Sequence, residues 1–359
     1  MRRINLETTQ PGMVVARAVL GGNNQVLLKA GTEIKPQYVD YLRKLGVSSI
    51  YIKDMRIEDI EVNDVVSDET RNEARRLVKT VLYDIKANGS DKKSINTEKE
   101  IIATVTKLID EMLSNRDILI QLTDIRTSAD YMFAHSVNCS ILAGVVATKM
   151  GCERTTLKQL TIGALLHDIG MVAIPEQILN KPGELTMDEI TTINKHPLYG
   201  YEIFKKSNIY HGLAGTIIAQ HHEKYNGQGY PYGLKKDEIN PMAQIVGIAN
   251  IYDALTSDRP HRKAYHPHEA VEMIMAWGND QFDIQVLQSF LAVVAAYPIG
   301  YHVMLSNGES GLVVGNNPGF TLHPIVRVLY TGEDLAPHPS PYDIDLSESL
   351  NLVIVKVID

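Results

Sequence analysis

The central half of the chain, from about residue 117 to 292, restricts the fold most, because nearly all of it has the pattern of helices joined by short loops. Apolar residues recur at helical spacing, and the segments begin at capping residues or end at glycines. Asn240-Pro241 is an N-cap followed by proline at the first helical position. Thr186 and Glu189 have the spacing of a capping box. The pattern predicts a helical bundle.

Both ends of the chain differ from this centre. Residues 1 to 55 combine short β-rich pieces with one helix, and residues 297 to 359 contain β runs joined by Asn307-Gly308, a strong hairpin signal. Residues 56 to 116 predict a helical connector, and residues 117 to 296 form the bundle. The predicted fold class is mainly α, with a small N-terminal α+β domain and a small C-terminal β module.

Length, charge and cysteine content narrow the class of protein. The 359 residues exceed one ordinary core, and the net charge of −8 argues against a broad nucleic-acid surface, while leaving room for one anionic ligand in a local cationic pocket. Cys139 and Cys152 are too few for a disulfide framework. No targeting segment is visible, and apolar runs such as 290–296 are far shorter than a bilayer span. We expect a cytoplasmic protein that binds neither nucleic-acid polymers nor membranes.

A heptad-like spacing marks the end of the connector. Ile101, Val105, Leu108 and Met112 would lie on one face of a helix. Such a face suits either an amphipathic helix packed within the chain or a helix that pairs two chains in a homodimer. Both interpretations stay open at this point, with packing inside the chain the favoured one.

Six histidines and carboxylates interrupt the apolar helices of the bundle. They are His135, His167, Asp168, His196, His221 and His222. One such histidine is more often an ordinary core or surface residue than a ligand. Six of them, in or at the ends of helices of one bundle, predict convergence on one cavity.

The ligand types indicate a metal centre. Several imidazoles with one bridging carboxylate, here Asp168, suit a pair of first-row divalent ions. Fe or Mn is expected first, with Ni or Zn as alternatives, whereas Mg and Ca prefer oxygen ligands. Two such ions activate a water at neutral pH and neutralise charge on a phosphoryl group. The set therefore favours hydrolysis of a phosphate ester.

Several motifs in a fixed order resemble one family. They are "HDIG" at 167–170, "IPEQILNKPGELTMDE" at 174–189, "HP" at 196–197, "HHEKYNGQGYP" at 221–231 and "DALTSDRP" at 253–260. Together they closely resemble the HD-GYP branch of the HD-domain phosphohydrolases, over about residues 117 to 292. The resemblance implies an HD-type helical bundle that hydrolyses cyclic di-GMP to linear pGpG, and in some members to GMP.

The resemblance also assigns roles to residues. It implies metal ligation by the six residues named above together with Asn250, with Asp168 and His167 at the catalytic centre. Tyr131 stands where family members with three metals have a glutamate, which favours two ions.

Neighbouring residues receive further roles. The resemblance implies that Arg259 and Arg262 bind ligand phosphates, because guanidinium groups match phosphate oxygens. Tyr230, in the GYP loop, offers a face for stacking on guanine, and this loop is also linked to GGDEF partners. Glu223 and Asp253 are expected to orient the ligands from behind.

Two departures from the family pattern raise an alternative. Met171 replaces a lysine of the family motif, and Asn250 replaces its last metal-binding aspartate. An asparagine carbonyl binds a metal without charge and more weakly than a carboxylate. The alternative is a catalytically weak sensor or adaptor that binds cyclic di-GMP or a GGDEF protein. A hydrolase of another nucleotide is a third hypothesis, against which the intact GYP loop argues.

Overall fold

The fold is known from a computed structural model. It describes residues 1–21, 25–60, 62–88, 98–115, 118–121, 131–181, 183–207, 209, 212–258, 263–332 and 334–358. Arg259 and Arg262, two of the predicted site residues, lie outside this described part of the chain.

The N-terminal segment is a small α+β unit with its own core. Its elements are β1 (Arg2–Asn5), β2 (Val19–Leu20), β3 (Val26–Leu28), α1 (Pro36–Lys44) and β4 (Ser49–Ile52). Strand β1 pairs antiparallel with β4, and β2 pairs antiparallel with β3. Side chains such as Val15, Leu42 and Ile50 fill the space between the strands and α1.

The centre of the chain is helical, as predicted. Its helices are α2 (Asp68–Asn88), α3 (Glu98–Ser114), α4 (Tyr131–Lys149), α5 (Arg154–Leu165), α6 (Glu176–Leu179), α7 (Met187–Ile193), α8 (His196–Lys205), α9 (Gly212–Gln220), α10 (Pro241–Thr256), α11 (Pro267–Gln281) and α12 (Ile284–Leu291). Helix α4 lies at the middle and contacts α2, α3, α5, α10 and α12. Most of its side chains are buried on every face, as expected of a central core helix.

The local start signals are confirmed, whereas two helix ends differ from expectation. Asn240 caps α10 by accepting from Met242 N, and Thr186 with Glu189 forms the capping box of α7. Taking Gly170 as a stop signal, the sequence predicts a helix from Thr155 to Ile169, but α5 ends at Leu165. The sequence also predicts a break in the helix at His196, because a residue before proline avoids the α region. The break falls just before that residue, which opens α8.

Helix α4 also corrects the expectation that no apolar run approaches bilayer length. By length and composition Tyr131–Lys149 could cross a membrane, with a mean hydropathy of 1.3, but 78% of that window is buried inside the protein. Its apolar character is accounted for by the other helices that surround it.

Helix α3 packs within the chain. Its apolar side chains, including Ile101, Val105, Leu108 and Met112, are buried, and the helix contacts α2, α4 and α5. The face that suited either packing or pairing of two chains is therefore occupied by the chain's own helices.

The C-terminal module is a five-stranded antiparallel sheet. Its strands are β5 (His302–Leu305), β6 (Glu309–Gly315), β7 (Ile325–Thr331), β8 (Ala336–Asp345) and β9 (Ile354–Ile358), in the order β8-β7-β6-β5-β9. The Asn307-Gly308 hairpin joins β5 to β6, with Gly308 at φ 83°. Strand β8 was not predicted, because Pro337, Pro339 and Pro341 interrupt the strand pattern. Prolines are tolerated here because β8 is an edge strand.

Candidate metal centre

Asp168 is placed by a tight turn after α5. The chain leaves α5 at Leu165 and enters a 3-10 helix, Ile169–Ala173, immediately after Asp168. This short helix packs backbone against backbone on α8, since a Cβ added at Gly170 would overlap the carbonyl oxygen of His196. Glycine is therefore required at this position of the HDIG motif, and the close approach brings Asp168 beside the first residue of α8.

The two carboxylate oxygens of Asp168 face two different pairs of histidines. Oδ1 lies 3.2 Å from Nε2 of His196 and 3.8 Å from Nε2 of His221. Oδ2 lies 3.4 Å from Nε2 of His167 and 3.9 Å from Nε2 of His135. This is the arrangement expected of one carboxylate shared between two cation positions.

The other ring nitrogen of each histidine is held by an acceptor. The Nδ1 contacts are His167 to the carbonyl of Ala164 (2.8 Å), His196 to that of Ile193 (2.9 Å), His221 to that of Ile218 (2.8 Å), and His135 to Asp253 Oδ2 (2.7 Å). Carbonyl and ionised carboxylate oxygens only accept, so the Nδ1 atom of each of these four histidines carries the hydrogen. Each Nε2 is then left to face Asp168, as in metal sites whose ligands are fixed by outer hydrogen bonds.

These donor atoms fit divalent cations. His167 Nε2 is buried and makes no hydrogen bond to any residue that the structure describes. Nitrogen and oxygen ligands of one ion, bound at about 2.1 Å each, lie roughly 3 to 3.5 Å apart. The two shorter contacts of Asp168, at 3.2 and 3.4 Å, have this spacing, one on each oxygen. Buried lone pairs that face a carboxylate need a positive charge between them.

The site is buried but open at one point. The side chains of His167 and His221 are 0% exposed, whereas that of Asp168 is 18% exposed. A ligand can therefore reach the carboxylate without any movement of the histidines.

Protonation follows from the same geometry. Burial would raise the pKa of the Asp168 carboxyl, but the neighbouring imidazoles lower it well below its usual range. Burial lowers the pKa of His221 to about 4 and also lowers that of His222. Burial opposes the effect of Asp168 on His167, whose pKa is raised on balance.

The second histidine of the HH pair joins the site through ring contacts. The centroids of the His222 and His221 rings are 4.2 Å apart, and His222 is 5.0 Å from His196. One of its ring nitrogens lies within 4.8 Å of the ligand atoms of Asp168, His196 and His221. Tyr230 stacks on His222 at 4.5 Å, with 21° between the ring planes, and so forms a wall beside the site.

Asp253 lies behind His135. Its Oδ2 accepts from His135 Nδ1, and its Oδ1 accepts from Asn138 Nδ2 at 2.6 Å. Asn138 was missed in the sequence. The available signal is an amide three residues after His135, within a mostly apolar helix.

Glu223 differs from its expected role as a partner of a histidine. Its two carboxylate oxygens accept from the backbone N–H groups of Tyr232 at 2.7 Å and Leu234 at 2.9 Å. The chain turns back so tightly here that a Cβ at Gly229 would overlap the backbone of Lys224. Glu223 therefore anchors the loop that carries Tyr230.

Two further predicted residues, and one cysteine, lie on elements that carry residues of this centre. Asn250 is 8% exposed on α10, one turn before Asp253. Met171 is half-buried in the 3-10 helix that follows Asp168. Cys139, interpreted from the sequence as a small buried side chain, is 0% exposed, with its sulfur 3.6 Å from His135 Nδ1.

Comparison with known proteins agrees with this geometry. The HD domain family model matches residues 101–286, and a model described as a KOW domain associated with HD domain matches residues 302–359. The first match contains every histidine of the centre.

The chain is also similar to curated proteins. A cyclic di-GMP phosphodiesterase of Pseudomonas aeruginosa is 33% identical over 241 residues, which is 66% of this chain and 58% of the relative. A cyclic di-GMP phosphodiesterase response regulator of Xanthomonas campestris is 32% identical over 200 residues, or 55% and 52% of the two chains.

A further relative is named for another cyclic dinucleotide. The 3'3'-cGAMP-specific phosphodiesterase 2 of Vibrio cholerae is 32% identical over 173 residues, covering 46% of this chain and 33% of the relative. The chain thus spans about a third to three fifths of the length of these three relatives. The family match covers more than half of the present chain and includes the residues that gather around Asp168, and on these grounds the chain belongs to the HD-domain family.

Proposed function

We propose that this protein is a metal-dependent phosphodiesterase that hydrolyses cyclic di-GMP to linear pGpG at a dinuclear site. One observation carries the proposal: the two oxygens of Asp168 face two separate pairs of imidazole Nε2 atoms. A single cation site would not need the carboxylate to be divided in this way.

The donor atoms divide into two sets. His196, His221 and His222 would hold one ion with Asp168 Oδ1, while His135 and His167, which cluster with Cys139, would hold the other with Asp168 Oδ2. Iron or manganese is proposed first, with nickel or zinc as alternatives. When bound, the ions supply an activated water and neutralise charge on the phosphodiester.

The protein's own side chains position the substrate. The exposed edge of Asp168 sets where the scissile phosphate approaches. The Tyr230 ring, already stacked on His222, offers an apolar face beside that point, where a guanine base can pack. Arg259 and Arg262 are proposed to bind the phosphates.

The names of the relatives support the substrate class. Two of the relatives described above act on cyclic di-GMP, and the third is specific for 3'3'-cGAMP. Both molecules are 3',5'-linked cyclic dinucleotides, so the choice between them depends on recognition of one base.

A turnover assay tests the proposal. The chain, stripped with a chelator and reloaded with Fe²⁺ or Mn²⁺, is mixed separately with cyclic di-GMP and 3'3'-cGAMP, and products are resolved by chromatography. We expect pGpG from cyclic di-GMP and none without metal; further conversion to GMP is read in the same trace. Preferential cleavage of 3'3'-cGAMP would overturn the substrate assignment, and no cleavage of either would overturn the hydrolase.

A second candidate is a sensor that binds cyclic di-GMP, or a GGDEF partner, with little turnover. Met171 favours it, because it lies three residues after Asp168 and offers no charge to a phosphate. Asn250 favours it too, since an amide oxygen is a weaker metal ligand than a carboxylate.

Asn250→Asp separates the two candidates. We expect the added carboxylate to raise kcat on cyclic di-GMP by about tenfold, the effect of about 1.4 kcal/mol of transition-state stabilisation. Asn240→Asp is the matched control. It makes the same substitution at the N-cap of α10, away from the centre, where aspartate also serves as a cap. An unchanged kcat in Asn250→Asp would show that the asparagine does not limit turnover.

The proposal includes a cytoplasmic setting. Neither Cys139 nor Cys152 forms a disulfide, in keeping with a reducing compartment.

A further inference from the structure

A chain of buried polar side chains extends from the metal centre to α2. Asp253 is 1% exposed, Asn138 is 1% exposed and Arg71 is 4% exposed. Arg71 Nη1 lies 3.4 Å from Asn138 Oδ1, and Arg71 Nε donates to the carbonyl of Val66 at 3.1 Å. Buried polar groups of this kind are costly unless each has a partner. Helix α2 lies outside the residues that the HD domain family model matches.

The partners fix the direction of the Asn138 amide. Arginine only donates, so the oxygen of the amide must face Arg71 and its NH₂ group must face Asp253. The NH₂ group then donates a hydrogen bond to Asp253 Oδ1 at 2.6 Å. This leaves Oδ2 to accept from Nδ1 of His135, and that hydrogen bond turns Nε2 of His135 toward Asp168.

We propose that Asn138 and Arg71 are positioning residues for the cation held by His135 and His167. Asn138 holds Asp253 in the rotamer that orients His135, and Arg71 holds Asn138. The inference rests on the metal site of the proposed function, but not on its substrate. Outer partners of metal-ligating histidines typically change metal affinity by about 10–100-fold.

The arrangement predicts unequal effects on the two cation positions. The other position uses His196 and His221, whose Nδ1 atoms are held by backbone carbonyls of their own helices or turns. Those contacts do not involve Asp253 or Asn138. Loss of Asn138 should therefore weaken one cation and spare the other, whereas general loss of packing would weaken both.

The test is a metal titration of the full chain. Wild type, Asn138→Leu and Asn317→Leu are stripped, then titrated with Co²⁺ against a chromophoric chelator, while the visible absorption of the bound Co²⁺ is recorded. Asn317 is the matched control, because its amide also donates to a carboxylate, Asp345 Oδ1 at 2.7 Å, in the C-terminal sheet.

We expect two equivalents of Co²⁺ in wild type and in Asn317→Leu. In Asn138→Leu one equivalent should bind about 10–100-fold more weakly, with an altered absorption spectrum, while the other keeps its affinity. Both affinities within twofold of wild type would overturn the proposal. Wild type that binds fewer than two ions would instead overturn the dinuclear site.

Arg71 gives an independent pair of variants, which serve if Asn138→Leu does not fold. Arg71→Met removes the donor to Asn138, and Arg71→Lys keeps a cationic donor at nearly the same length. We expect the weaker binding of one ion in Arg71→Met and its recovery in Arg71→Lys. Equal loss of both ions in Arg71→Met would show a structural role and overturn the positioning role.

Discussion

At the scale of single residues, the histidines of this chain differ in what holds their rings. Those that face Asp168 have one nitrogen fixed by an outer acceptor, which leaves the other for a cation. His302, far from that centre, is also buried at 8% exposed, but its Nε2 lies 3.3 Å from the hydroxyl of Ser310. The same residue type is thus a proposed ligand in one place and a neutral core residue in another.

The pKa of His302 predicts how stability depends on pH. Burial, followed by the positive charges of Arg2 and Arg56, lowers this pKa to about 4, below the value of about 6.5 for an unfolded histidine. At pH values between these two, His302 binds a proton more readily in the unfolded chain than in the folded one. The contribution of His302 is therefore complete above pH 6.5 and is lost as the pH falls toward 4.

Replacement of His302 by asparagine should remove this dependence. Between pH 8 and pH 4.5 the free energy of unfolding of the chelator-treated wild type should fall by about 2 kcal/mol more than that of His302→Asn. Urea denaturation at both pH values measures the difference. Parallel losses in the two proteins would show that His302 is not held neutral by the fold.

What the sequence predicts at this scale depends on whether the information is local. His167, Asp168 and the HH pair stand out because they are polar ends of apolar segments. The prediction that Glu223 binds a histidine was wrong. The backbone that it binds comes from a loop, and no local sequence pattern shows that this loop returns to Glu223. The link from Asn138 to Arg71 also needs the packing of α4 on α2.

At the scale of elements, the loop after α9 determines the wall of the site. Glu223 accepts from two backbone N–H groups of this loop, and Tyr230 N donates to the carbonyl of His222 at 3.2 Å. These contacts hold Tyr230 against His222. The loop is therefore held in shape by contacts with its own first residues.

Glu223→Ala should loosen the loop while it leaves the metal centre in place. The two N–H groups of Tyr232 and Leu234 lose their acceptor, which lowers the free energy of local opening. We therefore expect their hydrogen exchange to be at least tenfold faster. Hydrogen–deuterium exchange measures this, with Glu238→Ala as a control at a neighbouring 3-10 helix, Lys236–Glu238. Unchanged protection at both N–H groups would contradict the anchoring role.

Element starts were predictable because caps, prolines and Asn-Gly turns act within a few residues. The end of α5 was not, since the chain leaves the helix there to let the 3-10 helix pack on α8 through Gly170. Strand β8 was missed because edge position, which makes its prolines acceptable, is a property of the assembled sheet.

At the scale of the whole molecule, the three parts touch through specific polar contacts. The contacts are Ser48 Oγ to Asp258 Oδ2 (2.5 Å), Arg17 to Asp64 and Asp68 (2.7 Å each), Arg3 N to the carbonyl of Gly300 (3.1 Å), and Arg327 to Asp59 (2.7 Å). The first two join the N-terminal unit to the helical part, and the last two involve the C-terminal module. The order of the parts was evident in the sequence, whereas these contacts join residues as far apart as Arg3 and Gly300 and could not be predicted from it.

The central claim is that Asp168 and five histidines hold a pair of divalent cations. Metal content of the purified chain and of Asp168→Ala, measured by plasma mass spectrometry after reloading with Fe²⁺ or Mn²⁺, tests it most directly. We predict two ions per chain in the wild type and none retained in Asp168→Ala, since the carboxylate serves both positions. Two ions in the variant, or none in the wild type, would contradict the account.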